Sequence, residues 1–442
     1  IKDNIMVQIF KKGNIVVTRE DVINFLKKLN NSINYVNKLN TELSINNDYY
    51  ILRMLVENRI LLKKNTQQKL NVVLIAFEPE TWLMFQSIYA TFSKSEKINM
   101  TVLVIPYAHS TLPEGIYKDD GLREYLDSID VPYIYGYNEK TNTWLDLFQL
   151  RPDYVFYQAP YNGMYPETLK SGYVSRFAQI CHVPYGTALI KGGIEDTIYP
   201  IDFFLDSTYC FVETNINKDI IYDYLCKKNM NFLIDKFITI GSTKIEALKN
   251  HYTTETSYVK SDSHNILWLP RWNTKEGICT FFDYYNVLIN YVDQHDDATL
   301  TLRPHPLMFQ NFITTGEMTE DDIQKLKQKF STSKFMLDTN RDYYNSFNTA
   351  DILITDPTSL IYEFFPTKKP IIYTYKKDVF NNLGVELSKG LYWVHNQTEL
   401  EDRLNVLISG KDSLLNKRKE ILTHYFFDTE KSSKIILYTL IN

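Results

Sequence analysis

The sequence predicts an α/β protein with two similarly built domains, each organised around a parallel sheet. From Leu70 onward, short continuous apolar runs alternate with helical stretches, and such runs are typical of strands buried on both faces. The alternation pauses between Asn250 and Asn265 and starts again at Ile266, which predicts a linker and a second set of βαβ units. Two such domains leave a cleft at the carboxyl ends of their strands, where folds of this class bind ligands.

The segment before the first apolar run is predicted to be a helical extension or linker. From Thr18 to about Lys64 it is polar, lacks Pro and Gly, and carries Leu, Ile and Val at helical spacing, a pattern that predicts two amphipathic helices. The predicted divisions of the chain are the extension at residues 1–68, a first Rossmann-like domain at 69–250, a second at 265–425 and a terminal helix at 426–442.

The strands are predicted from runs of aliphatic and aromatic residues that end at turn signals. In the first domain the predicted strands are Leu70–Phe77, Met100–Ile105, Val131–Tyr135, Tyr154–Tyr157, part of Phe203–Phe211, and Phe237–Ile240. In the second domain they are Ile266–Leu269, Thr299–Leu302, Phe335–Leu337, Ile352–Ile354 and Ile371–Tyr373. Two helices are predicted near the end of the chain, Glu399–Ser409 and Lys411–His424, and the final helices are expected to cross back toward the first domain.

The composition is that of an ordinary globular protein. The 442 residues are 44% apolar and 23% charged, with 15 Gly and 15 Pro, which excludes collagenous, low-complexity and disordered classes. The 48 basic and 53 acidic residues give a formal net charge of -5. The protein therefore has no overall positive charge that would attract nucleic acid, and no nucleic-acid partner is predicted.

The cysteines and the apolar runs bear on location. Cys181, Cys210, Cys226 and Cys279 lack CxxC spacing, which favours reduced thiols in a cytoplasmic chain. The sequence contains no uninterrupted run of about 18 apolar residues, so no transmembrane helix is predicted. The chain begins at Ile1 without a secretory signal, so we expect it to be a trimmed or excised segment of a longer chain.

The sharpest candidate site is the stretch Arg303-Pro304-His305-Pro306 at the end of a predicted strand. The two prolines restrict the loop and hold the imidazole of His305 in one direction. The guanidinium of Arg303 and an imidazole both suit phosphate oxygens. The sequence therefore predicts a phosphate site here, the alternative being a loop that the prolines only stiffen.

A second cluster, from Asp351 to Glu363, again reads as strand, polar turn and helix start. Hydroxyls of Thr358 and Ser359, together with free backbone N–H groups at a helix start, suit an anion. Asp356 lies in the same turn, and Glu363, about one helical turn beyond Ser359, is predicted to reach a ribose hydroxyl. The alternative is ordinary capping of that helix by Asp356 or Thr358, with Glu363 as a solvated carboxylate.

Two shorter loops also follow predicted strands. Gly241 and Ser242 end one strand, and Arg271 follows another; we expect these loops to place backbone or a cation against a diphosphate, since Gly241 permits close approach. Neither GxGxxG nor GxxxxGK[ST] occurs, and no Asp-x-Asp pair is present to hold a metal–diphosphate complex. No metal and no cofactor are therefore predicted.

His182 is the candidate general base. It begins the stretch His182-Val-Pro-Tyr-Gly-Thr187, a loop shaped by Pro and Gly. Because the usual pKa of an imidazole lies near neutrality, this side chain could take a proton from an acceptor hydroxyl. The alternative is a structural histidine.

Taken together, these motifs resemble those of the CDP-glycerol glycerophosphotransferase family, which makes teichoic acid and capsule polymers and has the GT-B fold. The stretch from His182 to Thr187 is similar to the family motif that supplies a base. Arg303–Pro306 and Asp356–Ser359 are similar to the motifs that bind the CDP diphosphate. The resemblance spans roughly Leu70 to Lys431 and implies two Rossmann-like domains facing a cleft, with the acceptor on the first and the nucleotide on the second.

The resemblance also implies a function. It implies transfer of glycerol phosphate, or a related polyol phosphate, from a CDP-activated donor to a hydroxyl of a cell-envelope glycan or lipid-linked acceptor. CMP leaves while His182 deprotonates the acceptor, and Arg303, His305, Thr358 and Ser359 offset the developing charge. The implied location is the cytoplasm, or the inner face of the cytoplasmic membrane as a peripheral protein.

Three other functions stay open at this point. A glycosyltransferase that uses a CMP-activated or other nucleotide-activated sugar has a similar phosphate site, and a sugar-nucleotide epimerase shares the architecture. The third is a non-catalytic module that binds nucleotide or glycan within a larger polymerase. Donor profiling separates the enzymes, because the first function alone consumes CDP-glycerol or CDP-ribitol.

Overall fold

A computed structural model describes residues 47–108, 116–191, 198–249, 263–341, 343–426 and 431–442. The chain divides into two compact units, Ile1–Leu55 and Val56–Asn442. Helix α1 (Asn47–Asn65) begins in the first of these units. The predicted helix upstream of Asn47 lies outside the described residues, as do residues 250–262 of the linker predicted over Asn250–Asn265. The end of that predicted linker is wrong, because a strand begins at His264.

The first sheet of the second unit is parallel and has seven strands, counted over the described part of the chain. Their order across the sheet is β3-β2-β1-β6-β7-β8-β9. These strands are β1 (Leu70–Ala76), β2 (Ile98–Val104), β3 (Ile134–Tyr135), β6 (Tyr154–Tyr157), β7 (Gln179–His182), β8 (Ser207–Val212) and β9 (Phe237–Thr239). A separate antiparallel pair joins β4 (Tyr137–Asn138) to β5 (Thr143–Trp144).

The second sheet is also parallel, and six strands form it within the described ranges, in the order β12-β11-β10-β13-β14-β15. These strands are β10 (His264–Leu269), β11 (Ala298–Leu302), β12 (Phe335–Leu337), β13 (Ile352–Thr355), β14 (Ile371–Thr374) and β15 (Tyr392–Val394).

Helices connect the strands, as parallel pairing requires. In the first half they are α2 (Leu83–Phe92), α3 (Leu122–Ser128), α4 (Ser171–Val174), α5 (Ile201–Asp206), α6 (Asn215–Lys227) and α7 (Thr243–Lys249). In the second half they are α8 (Phe281–Gln294), α9 (Met308–Thr315), α10 (Glu320–Lys329), α11 (Tyr344–Thr349), α12 (Leu360–Phe364), α13 (Asn382–Ser388), α14 (Gln397–Ile408), α15 (Leu415–Tyr425) and α16 (Ser432–Ile441).

Both sheets are covered on both faces, which explains their continuous apolar strands. In β1, Val72 and Leu74 enter one core cluster while Val73 and Ile75 enter another. The same division splits alternate residues of β10 between two clusters of the second half. Because side chains of a strand alternate in direction, a strand with apolar residues at every position must be buried on both sides.

Strand order locates the crevice of each sheet. In the first sheet β1 lies between β2 and β6, and in the second sheet β10 lies between β11 and β13. At these positions the sheet grows in opposite directions on the two sides, and folds of this class bind ligands beyond the carboxyl ends of such strands. The turns after β10 and β13 carry Arg271 and Ser359.

The predicted fold class, two Rossmann-like domains, is confirmed by the two sheets. The expected return of the chain end toward the first sheet is confirmed as well. Ser432 Oγ donates to the carbonyl of Ile240 at 2.9 Å, and the hydroxyls of Ser433 and Thr91 lie 2.7 Å apart. Helix α16 therefore packs against the first sheet and its helix α2.

Three local predictions differ from the structure. The apolar stretch Phe203–Phe211 divides into the end of helix α5 and most of strand β8, because a short apolar run suits a buried helix as well as a strand. Strand β7 was not predicted because its four residues include the polar Gln179 and His182, and the three-residue strand β15 (Tyr392–Val394) was not predicted either. No described helix combines the length and hydropathy that crossing a bilayer requires.

Candidate active site

A pocket of about 310 Å³ joins residues from both halves of the second unit. His182, at the end of β7, and Glu213, directly after β8, line it from the first sheet. Arg271 and Ser359 line it from the second sheet. The remaining wall is largely apolar and includes Tyr199, Phe204, Phe211, Ile221 and Phe237. A largely apolar cleft with a few convergent polar groups is the usual form of a small-molecule site.

His182 is buried, with 8% of its surface exposed. Its ring lies 5.8 Å from that of Phe203 and 6.2 Å from that of Phe204. Burial lowers the pKa of His182 to about 3, so the imidazole is neutral at pH 7. Its Nδ1 is buried and finds no hydrogen-bond partner among the described residues. An unpaired buried nitrogen in a pocket wall is suited to a substrate hydroxyl.

Glu213 is the acidic residue of the pocket. Its Oε1 accepts a hydrogen bond from Thr187 Oγ1 at 2.9 Å. Burial raises the pKa of Glu213 to about 7, while the bond from Thr187, its own backbone N–H and the nearby Lys244 act in the opposite direction. The carboxyl is therefore divided between protonated and ionised forms near neutral pH.

Asp356 holds two loops of the second half together. Its Oδ1 accepts from the backbone N–H of Arg271 at 2.7 Å, and its Oδ2 accepts from the N–H and Oγ1 of Thr280 at 2.9 and 3.2 Å. The side chain is fully buried, and this burial raises its pKa to about 7. The structure therefore gives Asp356 a positioning role, in contrast to the predicted contact with phosphate.

Arg271 and the Thr358–Ser359 turn meet at the pocket. Arg271 pairs with Glu276 and donates through a terminal nitrogen to the carbonyl of Pro357 at 2.9 Å. Thr358 Oγ1 accepts from the backbone N–H of Leu360 at 3.3 Å. These bonds fix the turn that presents Ser359 to the pocket.

His305 is held close to this turn. Its Nδ1 accepts from the backbone N–H of Leu307 at 3.1 Å, which places the ring proton on Nε2. The ring stacks on Trp272 at 5.4 Å between centroids. Burial, together with the charge of Arg271, lowers the pKa of His305 to about 4. The imidazole is thus a neutral donor, which can offer one hydrogen bond to a phosphate oxygen.

Arg303 has structural partners. Its guanidinium donates to Asp338 at 2.6 Å and to the carbonyl of Asn340 at 2.7 Å. These bonds tie the loop after β11 to the loop after β12. Arg303 therefore shapes the loop that carries His305, whereas the sequence predicted direct contact with phosphate.

Glu363 lies in a buried ion pair, away from the position predicted from the sequence. Its Oε1 accepts from Lys244 Nζ at 2.7 Å and its Oε2 accepts from the hydroxyl of Tyr343. The side chains of Lys244 and Glu363 are 8% and 2% exposed. With both oxygens occupied and the side chain buried, Glu363 is not placed to bind a ribose hydroxyl.

Gly241 and Ser242 form the turn that starts helix α7. Gly241 has a φ of +83°, a left-handed conformation that favours glycine. Ser242 Oγ accepts from the backbone N–H of Ile245 at 3.3 Å, as a capping serine does. This turn sets the position of Lys244, which also donates to the carbonyl of Tyr185 at 3.0 Å.

Sequence reasoning missed Glu213 and two tyrosines of the pocket. The hydroxyls of Tyr161 and Tyr185 lie 3.0 Å apart, and both residues line the pocket. Glu213 directly follows the apolar run Phe211-Val212. The rule that polar residues at strand ends gather at one edge of a parallel sheet would have found Glu213, but the tyrosines carry no such signal.

One acidic group near the first sheet has oxygens spaced for a cation. Oxygens of Glu78, Glu80 and Asp120 lie within 4.8 Å of one another. Burial raises the pKa of Glu78 to about 7. Lys118 pairs with Asp120 at 2.6 Å and Arg341 approaches Glu80 at 4.0 Å. The side chains of Lys118 and Arg341 thus already offset part of the negative charge of these three carboxylates.

The low pKa of His182 predicts a pH-dependent loss of stability. Below pH 6.5 the unfolded state takes up a proton on this residue that the folded state does not, so the free energy of unfolding falls as the pH falls. Between pH 7 and pH 5 we expect wild type to lose about 2 kcal/mol relative to His182→Gln, at about 1.4 kcal/mol per pH unit. Urea unfolding at the two pH values measures this difference.

The matched control for that measurement is His424→Gln, since His424 lies on the surface. If wild type and His182→Gln lose the same free energy of unfolding between the two pH values, the folded protein accepts the proton on His182.

The family comparison covers the end of the first half and most of the second. Residues 211–388 match the family described as CDP-Glycerol:Poly(glycerophosphate) glycerophosphotransferase. The match contains Glu213, Arg271, His305 and Ser359, and it begins after His182.

A curated relative is the minor teichoic acid biosynthesis protein GgaB of Bacillus subtilis (strain 168). It is 23% identical over 253 residues, which are 50% of this chain and 25% of GgaB. The chain thus spans about a quarter of the length of the relative that it matches.

Solved structures share the fold. The wall teichoic acid polymerase TagF has a TM-score of 0.52 at 15% identity, over 88% of this chain and 96% of that chain. The UDP-GlcNAc 2-epimerase from Neisseria meningitidis bound to UDP-GlcNAc has a TM-score of 0.55 at 15% identity, over 84% and 99%. The predicted GT-B fold is confirmed by these likenesses. Residues 211–388 of the chain are thus similar to the CDP-glycerol:poly(glycerophosphate) glycerophosphotransferase family.

Proposed function

We propose that the chain is a transferase that moves glycerol phosphate from CDP-glycerol to a hydroxyl of a teichoic acid type polymer. One observation carries the proposal: a single pocket brings His182 of the first sheet together with Arg271 and Ser359 of the second. A group suited to an acceptor hydroxyl thereby faces groups suited to an activated phosphate. The similarity of residues 211–388 to the glycerophosphotransferase family supports CDP-glycerol as the donor.

On the donor side, Arg271, Ser359, Thr358 and His305 contact the diphosphate. Phosphoryl transfer places negative charge on the phosphate oxygens and on the leaving CMP, so fixed donors aimed at these oxygens lower the barrier. The neutral Nε2–H of His305, the guanidinium of Arg271 and the Ser359 hydroxyl are such donors. Arg303 and Asp356 act through these residues as positioning groups.

On the acceptor side, His182 contacts the attacking hydroxyl. Its unpartnered Nδ1 accepts a hydrogen bond from that hydroxyl and orients the oxygen toward phosphorus. With a pKa of about 3 the imidazole is a weak base at neutral pH. A general base works best when its pKa lies near the operating pH. The base role expected from the sequence is therefore revised to orientation of the hydroxyl.

CMP release is the test of this function. The chain is incubated with CDP-glycerol and a short poly(glycerol phosphate) oligomer, and in parallel with CDP-ribitol or UDP-GlcNAc. We expect CMP and an elongated oligomer with CDP-glycerol, and turnover that survives EDTA because no metal is proposed for the site. Epimerisation of UDP-GlcNAc, or CDP binding without CMP release, would replace the proposal with an epimerase or a binding module.

A lipid-linked acceptor would place the enzyme at the inner face of the cytoplasmic membrane as a peripheral protein. Exposed apolar side chains on α1, among them Leu55 at 58% and Leu62 at 62%, support this part of the proposal. Sedimentation with phosphatidylglycerol vesicles tests it, and a chain that stays in the supernatant would contradict it.

A further inference from the structure

We infer that Glu213 is the general base of the pocket and takes the proton of the acceptor hydroxyl that His182 orients. The inference rests on the proposed function and adds a catalytic residue to it. Four properties of Glu213 carry it: its place at a strand end, its fixed orientation, the lack of a charged partner and its proton affinity.

His182 and Glu213 lie at the carboxyl ends of neighbouring strands and line the same pocket. Strands β7 and β8 are parallel neighbours, and His182 is paired with Cys210. Glu213 follows the last residue of β8, so both side chains leave the sheet at its carboxyl edge. Both line the same pocket, so an acceptor bound there shares one cavity with the two groups.

A hydroxyl from the neighbouring loop orients the carboxylate. Thr187 belongs to the loop that follows β7, and its Oγ1 donates to Glu213 Oε1 at 2.9 Å. The loop itself is anchored to the second half, where Ile190 bridges to Phe380. The geometry of Glu213 is therefore set by the same loop that carries the pocket wall from His182 onward.

Glu213 differs from the other buried carboxylates of this region. Glu363 pairs with Lys244 and Tyr343, and Asp356 accepts three hydrogen bonds from Arg271 and Thr280. Within the described residues Glu213 forms no ion pair, although it is only 7% exposed. A buried carboxyl without a cation is costly to the fold, as expected of a group kept for chemistry.

The proton affinity of Glu213 suits a base. Burial raises its pKa to about 7, whereas the pKa of His182 is about 3. The charged groups that act on it are Lys244 on α7, which lowers its pKa, and Glu363 on α12, which raises it. A base with a pKa near neutrality is ionised often enough to act and still holds the proton that it takes.

In the transfer of glycerol phosphate, one P–O bond forms and another breaks. The acceptor oxygen forms a bond to the phosphorus that carries glycerol, and the bond from that phosphorus to the oxygen bridging the two phosphates breaks. CMP leaves with the electron pair of the broken bond. The hydroxyl proton passes to a carboxylate oxygen of Glu213 and is later released to solvent.

Glu213→Gln tests the inference, since it keeps the shape and the bond from Thr187 but cannot take the proton. We expect CMP release to fall by about 10²–10⁴-fold, with CDP affinity changed by less than about threefold. In wild type, kcat/KM should decrease as the pH falls below about 7, because protonation removes the base. We call this decrease the acidic limb of the pH profile. The residual activity of Glu213→Gln should lack this limb.

Two further variants separate chemistry from structure. Thr187→Val removes a hydrogen bond that lowers the pKa of Glu213, so its limb should move to higher pH. Glu213→Ala should regain activity with added formate, which supplies a carboxylate. The matched control is Glu246→Gln, a carboxylate outside the pocket that accepts from Ser433 and should keep both rate and limb.

The outcomes distinguish the two proposals. If Glu213→Gln keeps wild-type turnover, or if the limb persists in it, the base is another group and the transferase function stands. If a folded Glu213→Gln that binds CDP loses activity but formate does not restore Glu213→Ala and the limb of Thr187→Val stays in place, Glu213 is structural. A wild-type chain that releases no CMP from CDP-glycerol overturns the function and the inference with it.

Discussion

His182→Ala should lower the rate of CMP release by about 10²-fold or more, while CDP binding stays nearly unchanged. The imidazole lines the pocket from the first sheet, and its buried Nδ1 has no hydrogen-bond partner among the described residues. Without it the acceptor hydroxyl loses the hydrogen bond that aims its oxygen at phosphorus. Misplacement of a reacting atom by about 1 Å can cost about 10²-fold in rate.

The measurement is steady-state turnover on folded protein, with CDP affinity determined in parallel. His182→Asn retains a polar atom near the Nδ1 position and should recover part of the rate. The pH limb assigned to Glu213 should persist in both variants, because the base is still present. A large loss of CDP affinity in His182→Ala would place this residue at the nucleotide, and wild-type turnover would make it structural.

Lys244→Met should lower the free energy of unfolding by about 3–5 kcal/mol. The ammonium of Lys244 lies 2.7 Å from Glu363 Oε1 and also donates to the carbonyl of Tyr185 at 3.0 Å. Removing it leaves the carboxylate of Glu363 buried without this ammonium, while the Tyr343 hydroxyl still donates to it. An uncompensated buried charge is far more costly than a lost surface pair, and urea unfolding measures the cost.

A double variant and a surface control complete this test. Lys244→Met combined with Glu363→Gln removes both charges, so it should recover much of the stability that the single variant loses. Lys334→Met breaks an exposed pair with Asp296 and should cost no more than about 1 kcal/mol. A cost of that size for Lys244→Met would contradict a buried ion pair across the two halves.

The strand pattern of this chain was predictable because parallel strands buried on both faces need apolar residues at every position. Runs such as Val72–Ala76 and Ile371–Tyr373 meet this condition and lie in strands. Strand β7 escaped prediction because its four residues, Gln179–His182, include two polar ones and give too short a pattern. That strand ends in His182, so its absence from the prediction concealed the neighbour relation between His182 and Glu213.

The site was predictable to the level of loops. Polar residues that directly follow an apolar run lie at the carboxyl edge of the sheet, and this rule led to Arg271, His305 and Ser359. It does not say which of them keep their polar atoms for a ligand. Asp356 and Arg303 satisfy the same rule, yet their groups are taken up by backbone N–H donors in one case and by Asp338 in the other.

The sequence by itself determined two α/β halves, a family resemblance and a set of strand-end loops, because these depend on local periodicity and on residues close together in the chain. The tertiary structure alone decided which side chains face the ligand and which face each other. Glu363 is 119 residues from Lys244 along the chain, so this pair forms only when the two halves pack. His182 is 31 residues from Glu213, and these residues meet in one pocket only when the first sheet forms. Burial then sets the proton affinities, lowering the pKa of His182 to about 3 and raising that of Glu213 to about 7. We therefore infer the base at Glu213 and not at the histidine that the sequence predicted.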